Sequence, residues 1–151
     1  MALGDFGTAA GELKELLLGT EDAAARRLKA ECHVALGEYI ESERELLTVR
    51  EKHPEEAARP EFLAQLALAH VLTGADREAK EVIEAARAAD PDYAETLLAE
   101  VAYMWKFSRQ EEAVTQLSGL VRKGVADEKK LKERPVLKDL IASPMWKKRT
   151  P

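Results

Sequence analysis

The sequence predicts an all-α protein, an α-solenoid in which antiparallel helix pairs stack side by side, with a C-terminal capping helix. Three observations lead to this prediction. Charged residues make up 34% of the chain and aromatic residues 5%, and Ala, Glu, Leu, Lys and Arg dominate, a composition that favours helix. Apolar residues recur at helical spacing. One turn pattern also recurs, because Gly37, Gly74 and Ser108 lie 37 and 34 positions apart.

The pattern is clearest in residues 60–92, where two amphipathic helices flank a turn. Pro60 suits a first helical turn, where a missing N–H does no harm. Gly74 suits the left-handed residue that ends the first helix, and Pro91 stops the second because proline cannot continue a helix. The apolar stripes of the two helices comprise Leu63, Leu66, Ala67 and His70, then Ala79, Val82, Ile83 and Ala86.

These residues resemble a tetratricopeptide repeat, a unit of about 34 residues built from two helices. The positions that match its pattern are Leu63, Leu66, Ala67, His70, Gly74, Ala79, Ile83, Ala86 and Pro91. Residues 36–42 and 107–113 resemble the same turn, and so do residues 3–9. The resemblance implies about 3.5 repeats, the first of them truncated. The chain is then either a piece of a longer array or an array without its first half-repeat.

Residues 1–151 are predicted to form one domain. Its expected parts are the second half of a truncated repeat (3–22), three repeats (23–59, 60–93 and 94–127), and a helical cap with a basic tail (128–151). The cap helix over residues 128–142 is expected to be kinked or restarted at Arg134-Pro135, and Ser143 with Pro144 to open a last short turn. In the third repeat we expect Leu98, Val101, Ala102 and Trp105 to point inward. The alternative register would bury Glu100, and an unpaired buried carboxylate is costly.

Charge and hydropathy narrow the classes of partner. Residues 1–121 hold 13 basic and 24 acidic residues, whereas residues 122–151 hold 10 and 4. The acidic body argues against nucleic acid as the main partner. The basic tail is the only region that would favour an anionic partner, and its simpler interpretation is a solvated end. No apolar run approaches about 18 residues, so no membrane span is expected. The single Cys32 and the lack of a signal peptide favour a cytoplasmic location, which a longer parent chain would leave open.

No catalytic or metal-binding constellation stands out. The three histidines, His33, His53 and His70, lack the four-residue spacing of a helical metal site. Cys32 and His33 are neighbours on a helix and point about 100° apart, which is poor geometry for a nucleophile and its base. There is no glycine-rich phosphate loop. We therefore expect no enzyme activity, no cofactor and no metal.

The resemblance to tetratricopeptide repeats implies a partner held in the concave face formed by the first helices. The residues that match groove positions are Arg27, Glu31, Val34, Leu68, Val71, Leu72, Tyr103 and Lys106. The apolar members would seat the guest, while Arg27, Glu31 and Lys106 would orient it. The chain contains no Asn, which this family uses to grip extended peptides, so an apolar-faced helix is the expected guest.

The predicted function is therefore a scaffold or adaptor module for a protein or peptide. Two alternatives stay open. The chain could be a small secretion-type chaperone that shields a client, or the C-terminal regulatory domain of a larger enzyme. The helix over residues 62–72 is apolar on nearly every side, which predicts cover on both faces. Three kinds of cover stay open: a bound partner, the helical cap folded back over the groove, or a second copy of the chain in a homodimer.

Overall fold

The computed structural model describes residues 8, 9, 11, 12 and 22–149. Within these residues the chain forms helices and no strand, as the sequence predicts. The helices are α1 (Ala23–Ala35), α2 (Tyr39–Lys52), α3 (Pro54–Ala57), α4 (Pro60–Thr73), α5 (Asp76–Ala89), α6 (Ala94–Lys106), α7 (Gln110–Arg122), α8 (Glu128–Leu131), α9 (Leu137–Ala142) and α10 (Pro144–Lys148). The predicted turn at residues 3–9 and most of the truncated repeat at residues 3–22 lie outside the described residues.

Consecutive long helices pack against each other in pairs. Helix α1 contacts α2, α4 contacts α5, and α6 contacts α7. Between pairs, α4 contacts both α2 and α6, and α6 also contacts α5. The described part is therefore a set of mutually packed helices with α4 and α6 at its centre.

The three turns inside the pairs share one backbone geometry. Gly37, Gly74 and Ser108 have φ angles of 78°, 81° and 72°, in the left-handed region. The N–H of the residue that follows each turn residue donates to the carbonyl oxygen five positions earlier. Glu38 N–H donates to His33 O at 2.8 Å, and Ala75 N–H donates to His70 O at 2.9 Å. The third turn repeats this bond from Arg109 to Met104 O at 2.8 Å. This pattern ends a helix by satisfying carbonyls that the helix leaves free.

We expect Ser108→Gly to stabilise the protein by roughly 0.5–1 kcal/mol. A left-handed residue with a Cβ costs about 1–2 kcal/mol, and glycine relieves this at some cost in unfolded-state entropy. Ser108 is exposed, so little packing is lost. Urea denaturation followed by circular dichroism measures the change. Ser118→Gly inside α7 is the control and should destabilise the protein by about 1 kcal/mol. If Ser108→Gly also destabilised the protein, the assignment of strain to Ser108 would be wrong.

Helix α4 is covered on both faces, as its apolar sequence predicts. Eight of its residues are buried: Phe62, Ala64, Leu66, Ala67, Ala69, His70, Val71 and Leu72. Phe62 and Leu66 join a cluster with Leu46 and Val49 of α2. Val71 belongs to a second cluster that runs through α6, α7 and the cap. Helix α4 thus connects the two parts of the core.

Helix α6 adopts the predicted register, but three further residues are buried as well: Thr96, Ala99 and Met104. Leu98, Val101 and Ala102 are buried, and Trp105 is half-buried. Met104 is buried too, because α6 is covered on several sides by α4, α5, α7 and α9. Glu100 is half-buried and paired, because Arg87 Nη1 donates to Glu100 Oε2 at 2.6 Å and Gln116 Nε2 donates to the same oxygen at 3.2 Å.

The cap consists of three short helices, with the interruption near Pro135 and the last turn after Ser143 that the sequence predicts. Helix α8 ends before Pro135, and α9 begins after Val136, whose φ is 66°. Leu137 N–H donates to Pro135 O at 2.7 Å, which closes a three-residue turn and redirects the chain. Ser143 Oγ then accepts from Trp146 N–H at 3.2 Å and caps α10, as predicted. Helix α9 packs against α6 and α10 against α7.

Candidate partner-binding groove

A groove lies between α1, α4, α6 and the segment that leads into α9. Its cavity volume is about 340 Å³. Its floor is made of apolar side chains, contributed by Val34, Ala64, Leu68, Leu98, Ala99 and Leu137. Most pockets that hold ligands are lined in this way and range from about 300 to 1,000 Å³. The groove is thus large enough for a few side chains and too small for a folded domain.

Arg27 connects the first helix pair to α4 at the edge of the groove. Arg27 Nε donates to Gln65 Oε1 at 2.9 Å, and Gln65 Nε2 donates back to Arg27 O at 2.9 Å. Arg27 Nη1 also donates to Glu56 Oε1 at 2.7 Å. Burial alone would raise the pKa of Glu56, but hydrogen bonds from Arg27 and Arg59 outweigh it and lower that pKa. The guanidinium of Arg27 is therefore fixed and already paired.

The cap forms one wall of the groove. Arg134 Nη1 donates to Glu95 Oε1 at 3.1 Å, and Arg134 Nη2 pairs with the other oxygen of Glu95. Pro135 and Leu137 follow along the same wall. The cap, one of the three covers that the sequence left open, thus lies along one side of the groove and leaves the cavity between α1 and α4 unfilled by the described residues.

The rest of the rim is acidic. Glu31 of α1 and Glu61 of α4 line the groove, are exposed, and have no ion pair among the described residues. Tyr93 lies beside them. Burial, followed by the carboxylates of Glu95 and Glu61, raises the pKa of Tyr93, and Arg27 opposes this only in part. The rim beside Tyr93 thus carries two exposed carboxylates, those of Glu31 and Glu61.

The structure divides the eight predicted partner-binding residues into three groups. Arg27, Glu31, Val34 and Leu68 line the groove together. Leu72 and Lys106 border a neighbouring depression beside Pro135, where Lys106 Nζ donates to Leu72 O at 3.1 Å. Val71 and Tyr103 line neither of these two depressions.

Burial and hydrogen bonding explain the position of this last pair. Val71 is 0% exposed in the core, so a guest cannot contact its side chain in this conformation. Tyr103 Oη donates to Asp76 Oδ1 at 2.6 Å, at the start of α5, and its ring lies 5.0 Å from that of Phe107. The hydrogen bond to Asp76, with burial, raises the pKa of Tyr103. Tyr103 thus joins α6 to α5 rather than bordering the groove.

Sequence reasoning did not select several lining residues, namely Glu61, Tyr93, Glu95, Arg134 and Leu137. Arg134 and Glu95 are 39 positions apart, so no helical spacing connects them. The one local signal was the Arg134-Pro135 pair, which marks the break in the cap and hence the place where the chain can turn towards α6.

The thiol of Cys32 and the imidazole of His70, two groups of the types that act in catalysis, are buried among the helices. Cys32 is buried, and burial followed by the charge of Glu31 raises its thiol pKa, which keeps the thiol protonated. His70 Nδ1 lies 2.8 Å from Glu43 Oε2, and Thr73 Oγ1 donates to the same oxygen at 2.7 Å. His70 thereby ties α4 to α2. No group of three or more His, Cys, Asp or Glu side chains in the described ranges is arranged to hold a metal ion.

Comparison with known proteins adds no relative: no protein-family model, no curated protein and no solved structure matches this chain significantly. Among the helices of the described part, none has the length and apolar character needed to cross a membrane.

Proposed function

We propose that this protein is a tetratricopeptide-like interaction module, with stacked helix pairs and a helical cap. Its partner is a protein or peptide that presents an apolar helical face. The repeat proposal is supported by the paired packing of α1 with α2, α4 with α5 and α6 with α7. It is also supported by the shared left-handed turns at Gly37, Gly74 and Ser108. Both features are typical of arrays in which each repeat buries its neighbour's apolar face.

One observation carries the binding proposal, namely the apolar floor of the groove. Val34 and Leu68 are only half-buried, and both face a cavity with exposed charged residues at its edge. An apolar floor inside a polar rim is the arrangement found at protein interfaces, where the buried centre supplies most of the affinity. A helix seated by two or three apolar side chains fits this shape.

A selection from a displayed peptide library tests the proposal. The library fixes an apolar helical face of Leu and Ala and randomises the flanking positions. Peptides retained by the whole chain are then titrated against Val34→Gln/Leu68→Gln, which should weaken binding by about tenfold or more because the apolar seat is lost. Circular dichroism and a thermal melt check that the variant stays folded.

Leu28→Gln is the matched control, since Leu28 lies on the same helix as Val34 and is 50% exposed away from the groove. It should leave the affinity unchanged. Val34→Gln alone is the second variant, for the case in which the change at Leu68 disturbs the core. Retained peptides that bind both groove variants as well as the unaltered chain would overturn the proposal, and so would a library from which nothing is retained.

A further inference from the structure

The charges around the groove differ in whether they are already paired. Five charged residues line it: Arg27, Glu31, Glu61, Glu95 and Arg134. Both cations are engaged, Arg27 with Glu56 and Arg134 with Glu95. Glu31 and Glu61 remain exposed without an ion pair among the described residues. The charges left for a guest to meet are therefore carboxylates.

These two carboxylates come from different helices and face the same apolar floor. Glu31 lies on α1, three residues before Val34, and Glu61 lies on α4, seven residues before Leu68. Residues three, four or seven apart share one face of a helix. Each free carboxylate is thus on the same helical face as an apolar residue of the floor. A guest that buries an apolar side chain on Val34 and Leu68 brings its flanking residues close to Glu31 and Glu61.

From this arrangement we infer that the guest is a basic amphipathic helix, in which Lys or Arg flanks the apolar residues. The inference rests on the proposed function and names the chemical class of its partner. Lysine or arginine next to the seated side chains meets the carboxylates of Glu31 and Glu61. An acidic guest would be repelled by the like charges of these two carboxylates. The guanidiniums of Arg27 and Arg134 do not offset this repulsion, because each is already paired with a carboxylate.

The electrical environment of Tyr93 agrees with this inference. Burial is the main cause that raises the pKa of the Tyr93 hydroxyl, and the charges of Glu95, Glu61 and Asp90 raise it further while Arg27 lowers it. A negative potential at a partly apolar groove attracts cationic segments and steers them during encounter. The attraction weakens with salt because the screening length falls from about 30 Å at 0.01 M to about 8 Å at 0.15 M.

The composition of the retained peptide pool tests the inference. Selection on the whole chain should enrich Lys and Arg over Asp and Glu at the flanking positions. A retained peptide with Lys flanks should bind roughly tenfold more tightly than its Glu-flanked counterpart at about 0.01 M salt, and the ratio should shrink at about 0.15 M. Selection on Glu31→Gln/Glu61→Gln should lose the enrichment. Glu51→Gln/Glu78→Gln, which removes two exposed carboxylates outside the groove, should keep it.

The outcomes separate the two proposals. A pool that depends on Val34 and Leu68 but has no basic enrichment, or an acidic one, overturns the inference and leaves the proposed function standing. Enrichment that persists in Glu31→Gln/Glu61→Gln also overturns it. If no peptide is retained and the chain sediments as a dimer that Val34→Gln/Leu68→Gln dissociates, a second copy occupies the groove and both proposals fail.

Discussion

Trp146→Ala is expected to lower the free energy of unfolding by about 3–5 kcal/mol, the usual range for removing a fully buried aromatic side chain. Trp146 is 1% exposed and belongs to the cluster that contains Leu131, Leu137 and Leu140. It is the largest side chain that the cap contributes to this cluster. Its loss leaves a cavity between α10 and α7. Helix α10 cannot close this cavity easily, because Trp146 is its one buried residue. Denaturation by guanidinium, followed by circular dichroism, measures the effect.

Polar contacts add to the apolar anchor. Trp146 Nε1 donates to Glu128 Oε1 at 3.0 Å, and the Arg149 guanidinium carbon lies 3.4 Å from the ring centroid. Trp146→Phe keeps most of the ring and removes the donor, so it should cost less than alanine, with about 1 kcal/mol for the hydrogen bond itself. Met145→Ala is the control, because Met145 is 41% exposed, and it should change stability by less than about 0.5 kcal/mol. An effect of Trp146→Ala no larger than this would mean that the cap is not anchored as described.

Phe62→Ala is expected to cost a similar amount, about 3–5 kcal/mol, at the other end of the core. Phe62 is 0% exposed and packs in the cluster that joins Leu46 and Val49 of α2 to α4. The side chain fills the space where one helix pair meets the next. Its removal therefore weakens the contact between pairs, not only α4 itself. The variant should unfold at a lower guanidinium concentration and still in one cooperative transition.

The neighbouring residue provides the comparison for Phe62. Leu63→Ala removes an apolar side chain from the same turn of α4, but Leu63 is only half-buried, so its cost should be clearly smaller. Equal losses for the two variants would show that helix propensity rather than packing dominates this part of α4. A broadened transition for Phe62→Ala alone would indicate that the pairs unfold separately, as one-dimensional arrays do when a contact between units is weakened.

The helices could be predicted closely because their signals are local. Pro60 and Gly74 bound α4 as expected, and Ser143 caps α10. Each of these signals acts within one turn of helix, so neighbouring residues suffice to identify it. The register of α6 was predictable for a similar reason, since burying Glu100 would have been costly.

The candidate groove was predictable only in part. Val34 and Leu68, which the sequence predicts as partner-binding residues, line the groove, but Val71, three positions after Leu68 on α4, is fully buried. The apolar pattern of α4 cannot separate them, because an apolar residue facing a cavity and one facing the core look alike in sequence. Tyr103 shows the same limit, since its hydrogen bond to Asp76 depends on how α6 meets α5.

The sequence by itself determined the bounds of α4, the turns shared by Gly37, Gly74 and Ser108, and that α4 would be covered on both faces, but it did not indicate helix α3 or the left-handed Val136. Tertiary structure alone decided which apolar side chains stay accessible, and that Arg134 brings the cap against Glu95 to form a wall of the groove. The physical reason is range: caps, turns and helical stripes act over about four residues. Access to the groove depends instead on helices that approach each other from dozens of positions apart.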